Sequence, residues 1–193
     1  MAKNLNSEKN RITRIAGICG ILIPIVVFMC IGLAMFHSPW FRWTENALSD
    51  LGVGDTSAIF FNSGMILGGI LALVFSLGLI KTLQNKIGAY ILSLSSIALI
   101  GIGIFPETVY TLHFITSAAF FVLLAISLLI IGLSVKQDQS ERAMGILATI
   151  CALLAICSTI LLLPWEGIAI PETLSCFPAF IWFMMYGVKM TVV

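Results

Sequence analysis

Charge is scarce in this sequence. Asp, Glu, Lys and Arg together make up 10% of its 193 residues, against 60% hydrophobic residues, and the mean hydropathy is +1.09. A soluble domain carries about 25% charged residues, so the apolar surplus cannot all be buried in one small core and lipid must solvate part of it. A net charge of +1 offers no basis for a nucleic-acid partner, and none is expected. Histidine is nearly absent, with two residues, His37 and His113. A catalytic zinc needs at least three protein ligands and would have to recruit Asp50, Glu107 or Glu166, which form no contiguous motif; no metal site is expected. Bis-histidine haem ligation is set aside because both histidines sit at helix ends beside loops. The composition thus leaves any cofactor unknown. None of the five cysteines, Cys19, Cys30, Cys151, Cys157 and Cys176, lies in an outer loop, so no exposed disulfide is expected and small apolar packing is their default role.

What the sequence has is long apolar runs. A window of about 20 residues predicts spans at Ile15–Phe36, Ser57–Ile80, Ile87–Phe105, Leu112–Val135, Ala143–Leu163 and Thr173–Val188. These runs are continuous rather than alternating, and hydrocarbon requires each segment to satisfy its own backbone hydrogen bonds, so helices and not barrel strands are expected. The expected fold is an all-α integral membrane protein, a six-transmembrane-helix bundle: a tail at 1–14, one domain at 15–193 and an outer loop at 37–56. The first run is too long for a cleaved signal peptide, whose apolar region spans about 7–15 residues.

Lys3, Lys9, Arg11, Arg14, Lys81, Lys86, Lys136, Arg142 and Lys189 fall at one end and Arg42 alone at the other, which places both termini in the cytoplasm of a multi-pass cell-membrane protein. Acidic residues divide the opposite way. Glu45, Asp50, Asp55, Glu107, Glu166 and Glu172 lie outside with both histidines, and that face is where chemistry is expected. Gly17-x-x-Gly20 and Gly64-x-x-x-Gly68-Gly69 predict close helix contacts within one chain. Thr82–Lys86 and Lys136–Arg142 read as plain turns, the second with Ser140 as N-cap of the fifth helix. No motif specifies the oligomeric state.

Ser49-Asp50-Leu51-Gly52 before the second helix, Phe61-Asn62-x-Gly64 inside it, Gly103-x-Phe105-Pro106 closing the third and His113 opening the fourth are matched in order and spacing by a known family. On these motifs the chain resembles the six-helix membrane family termed domain of unknown function 998. The resemblance implies six spans and supplies no reaction. A remoter likeness to the Frag, DRAM and Sfk group of eukaryotic membrane proteins implies lipid or anchor remodelling.

The residues themselves predict an outward polar pocket of Ser49, Asp50, Asn62 and His113 with Glu107 and Glu166 at its rim. An amide in the second helix demands a protein partner, and a hydrogen bond from His113 to Asp50 is one expected arrangement. The partner expected throughout is the lipid bilayer, and the leading expectation is binding of a lipid headgroup or small polar ligand at its outer face. A membrane-embedded hydrolase or transferase acting on lipid is the alternative, although no nucleophile elbow surrounds Ser49, and a non-catalytic accessory protein is a third. Proton-coupled transport is disfavoured, because no Asp, Glu, Lys or Arg lies near a span centre.

Overall fold

The computed structural model describes residues 2–160 and 166–192, with side chains over 10–158 and 166–192. The described residues contain six α-helices and no strands: α1 Ala2–Phe36, α2 Asp55–Thr82, α3 Ile87–Ile104, α4 Tyr110–Val135, α5 Arg142–Ile160 and α6 Ala169–Thr191. Four of them, α1 to α4, are long and apolar enough to cross a membrane. Helix ends fall within a few residues of expectation, except that α1 begins at Ala2 and takes in the stretch assigned to the tail. Nothing before Gly17 interrupts it, since Ser7 to Arg14 holds neither Gly nor Pro. The expected end of the fifth span at Leu163 lies outside the described residues.

Each helix packs against its neighbours in sequence, and α6 returns to pack on α1, so the six close into a ring. Small residues set the spacing. Gly64 and Gly68 of α2 face Cys30 and Val27 of α1, Gly69 meets Ile100 and the Ser96 carbonyl of α3, and Gly88 of α3 meets Ile131 of α4. The glycine motifs therefore serve contacts inside one chain. Serine hydroxyls bridge Ser76 to Ser93 at 2.8 Å and Ser158 to Ser175 at 2.6 Å, each pairing neighbouring helices.

The two ends of the ring differ. Toward the basic end Phe75, Trp182 and Phe183 interlock, with Phe75 to Phe183 centroids at 5.5 Å, and Leu79, Leu128 and Ile131 are buried as well. Lys189 pairs with Glu141 of the α4–α5 turn, and the Trp182 indole donates to the Met144 carbonyl at 3.0 Å. Ser140 does not cap α5: its amide and hydroxyl both donate to Asp138 Oδ1, at 2.9 and 2.8 Å, closing a local Asx turn that outcompetes the helix amides. At the acidic end the loop between α1 and α2 folds over the ring as a cap, containing a 3-10 turn at Leu48–Gly52.

Candidate functional site

The cap is held by hydrogen bonds that its own sequence prepares. Asp50 reaches back with Oδ2 to accept the Ala47 amide at 3.0 Å and the Asn46 side-chain amide at 2.8 Å, fixing the turn from its third position. The Asn46 carbonyl oxygen of the side chain accepts the Arg42 amide at 2.9 Å. Its backbone carbonyl takes the Ala169 amide at 2.9 Å, and Thr44 likewise takes Gly167, docking the cap onto the start of α6. From the first turn of α6, ahead of its apolar stretch, Glu172 accepts the Leu48 amide at 2.7 Å. On the other side Asn62 of α2 donates to the Gly52 carbonyl at 3.1 Å. A Cβ on Gly52 would fall 2.7 Å from Asn62 Oδ1, so a side chain there would have to push the Asn62 amide aside.

Three carboxyls from distant parts of the chain gather here. Glu107, in the α3–α4 connection, hydrogen-bonds Asp50; burial first, then that bond and the Asp50 charge, push its carboxyl up to about 7. Burial also pushes Glu172 up to about 7, opposed by the Leu48 amide and reinforced by the charges of Asp50 and Glu107. These are the shifts expected when like groups share a poorly hydrated place.

His113 owes its partners to Pro106. The proline cannot continue α3, and Val109 bonds to the Pro106 carbonyl, leaving the carbonyl of Phe105 without a helical donor. His113 Nδ1 fills that role at 2.8 Å, and Nε2 stands 3.3 Å from the hydroxyl of Ser117, one turn further along α4. The histidine is buried, 8% exposed, and its partners are this carbonyl and this hydroxyl rather than Asp50. A carbonyl competes well because it lies on the same connection that α4 follows.

Beneath the cap the ring holds a partly open cavity of about 90 Å³. Its walls are apolar, including Val27, Phe61, Leu99 and Phe120, and its polar groups are Ser49, Ser117, Glu172 and Thr173. Trp43 and Leu48 of the cap also line it. On the outer surface of the α1–α6 seam a groove of about 340 Å³ runs past Pro24, Phe177 and Met184. Phe28 and Phe180 line both spaces and meet edge to face at 5.3 Å, a two-ring wall between them.

Of the residues singled out in the sequence, Ser49 lies at the cavity, Asp50 and Glu107 bond to each other, Asn62 ties the cap to α2, and His113 faces Ser117. Glu166 is exposed beside the start of α6. Ser117 and Glu172 were not among the expected site residues. The His113-x-x-x-Ser117 spacing, which puts both on one helical face, is a sequence signal for the first. No such signal exists for Glu172, whose partner Leu48 is 124 residues away. Among the described residues no group of three or more His, Cys, Asp or Glu could hold a metal ion.

No curated protein and no solved structure matches this chain. A family model described as Protein of unknown function (DUF998) matches residues 21–189, which takes in the second half of α1 from Ile21, the cap, all of α2 to α5 and most of α6. The chain is a member of that family.

Proposed function

We propose that the chain crosses the cell membrane six times with both termini in the cytoplasm, and that it binds one lipid or small amphiphile at its outer end. The apolar part of the ligand occupies the cavity inside the ring, and its polar head lies against Ser49, Asp50, Glu107 and Glu172, with Glu166 at the rim. Asn62 and His113 hold the walls of the site in place.

The observation that carries this reading is the cavity itself, apolar over most of its wall and reaching Ser49 of the cap and the Glu172 carboxyl at the start of α6. An apolar enclosure with a few convergent polar groups is the usual form of a small-molecule site. The shared wall at Phe28 and Phe180 supports entry of an apolar chain from the bilayer side. Head chemistry follows from charge. The outer connections hold one basic residue, Arg42, which pairs with Glu45 at 3.5 Å on the exposed surface. A phosphate would meet carboxyls without a cation to offset them, so the site favours a neutral or cationic head.

Filling the cavity tests the reading. In Ile102→Trp the indole should occupy the space, and native mass spectrometry of the purified protein should show retained amphiphile falling by about tenfold, equivalent to 1.4 kcal/mol. Unchanged retention in a folded Ile102→Trp protein would place the ligand elsewhere. For topology, single cysteines at the exposed positions Thr44 and Gln137 in a cysteine-free background should label oppositely in intact cells, Thr44→Cys reacting with an impermeant thiol reagent and Gln137→Cys not. The opposite pattern would put the cap in the cytoplasm.

A further inference from the structure

Ser117 and His113 present an arrangement that binding alone does not require. The Phe105 carbonyl can only accept a hydrogen bond, so His113 Nδ1, 2.8 Å away, carries the ring proton. Nε2 is then a bare lone pair, and it faces the Ser117 hydroxyl at 3.3 Å. A nucleophile, a base within reach and a third group orienting the base is the pattern of activated hydroxyl catalysis, here with a backbone carbonyl as the orienting group. Serines in these helices commonly turn back to a carbonyl one turn earlier, as Ser93 and Ser96 do. Ser117 does not: among the described residues its hydroxyl bonds to His113 alone, and it lines the cavity. Ser49, whose hydroxyl has no hydrogen-bond partner among the described residues, lines the same space as a donor for a carbonyl oxygen, and Glu172 lies there too.

We propose that Ser117 is a nucleophile and His113 its general base in hydrolysis of an acyl ester with a neutral head, the acyl group seated in the cavity. The proposal rests on the binding reading above and adds a reaction to it. Ser117 Oγ bonds to the ester carbonyl carbon as its proton passes to His113 Nε2, and the carbonyl π pair moves onto oxygen beside the Ser49 hydroxyl. When that pair returns, the bond to the head oxygen breaks, and this oxygen takes the proton from Nε2 and leaves as an alcohol. Water attacks the acyl-serine by the same proton route, releasing a carboxylic acid and restoring Ser117. Throughout, the Phe105 carbonyl supports the imidazolium through Nδ1.

The test uses the purified full chain in detergent with two probes, an octyl fluorophosphonate and the non-hydrolysable ether 1-O-octylglycerol. Peptide mapping of the wild type should find the phosphonyl adduct on Ser117, a result that needs no variant to fold. His113→Gln should slow labelling by about 100-fold, the lower end of what a positioned base contributes. Ser117→Ala should lose the adduct yet retain the ether in native mass spectrometry. Retention of the ether without a Ser117 adduct in the wild type overturns the proposal and leaves the binding reading standing. Labelling of His113→Gln at the wild-type rate overturns the role of His113. Failure of both wild type and Ser117→Ala to retain the ether removes the reading and the proposal together.

Discussion

Gly187→Leu is expected to leave no folded monomer in detergent, because it strikes the contact that closes the ring. Position 187 in α6 faces the backbone of α1: a Cβ there falls 2.6 Å from the Gly17 carbonyl oxygen and 3.0 Å from the Ile21 amide nitrogen. The relation is reciprocal, since a Cβ on Gly17 falls 2.6 Å from the Gly187 carbonyl oxygen. Neither obstacle is the tip of a flexible side chain, so nothing yields without moving a helix. A forced methyl group in a packed interior costs about 1–3 kcal/mol, and a leucine against two backbones adds the separation of α1 from α6 along their length. That seam also carries the Phe28–Phe180 wall and the Phe183 contact with Gly20. Size-exclusion chromatography should show aggregate for Gly187→Leu and a wild-type profile for Val188→Leu, whose neighbouring side chain is exposed. A monodisperse Gly187→Leu protein with unchanged melting temperature would mean that the seam tolerates opening.

The closing of that seam is the part of the fold that hydropathy does not reveal. Spans were legible because each run of apolar residues ends at recognisable signals, such as Phe105-Pro106 after α3 and Lys136 after α4. Which face of each helix turns inward was not legible, since lipid replaces water outside and apolar residues such as Ile15, Ile59 and Phe114 lie on the outer surface. Glycines carried the remaining signal: Gly17 and Gly64 mark faces that touch a neighbour, though not which neighbour. In the site the polar residues Asp50, Asn62 and His113 were legible individually, because each is expensive in or near hydrocarbon. Their partners were not. The carbonyl bound by His113 is freed by a proline seven residues before it, and the amide bound by Glu172 belongs to a cap whose path depends on where α6 begins.

Docking of that cap is expected to weaken as pH rises from about 4.5 to about 7. Glu172 keeps its proton in the folded protein up to about 7, against an ordinary value of 4.5. Between these values the folded state binds more protons than the unfolded state, so stability is greatest at low pH, declines across the interval and is level above it. The cause is burial, which penalises the carboxylate more than the Leu48 amide at 2.7 Å rewards it, with Asp50 and Glu107 adding repulsion. A shift of this size corresponds to about 3 kcal/mol between the two ends of the interval. Glu107 titrates in the same direction and adds to the trend, though it is better hydrated. Glu172→Gln keeps an oxygen for the Leu48 amide and removes the titration. Hydrogen exchange at Leu48, corrected for intrinsic rates, should therefore accelerate with pH in the wild type and less steeply in Glu172→Gln, where the Glu107 contribution remains. The same slope in both proteins would assign the dependence to Glu107 alone and would separate Glu172 from the docking of the cap.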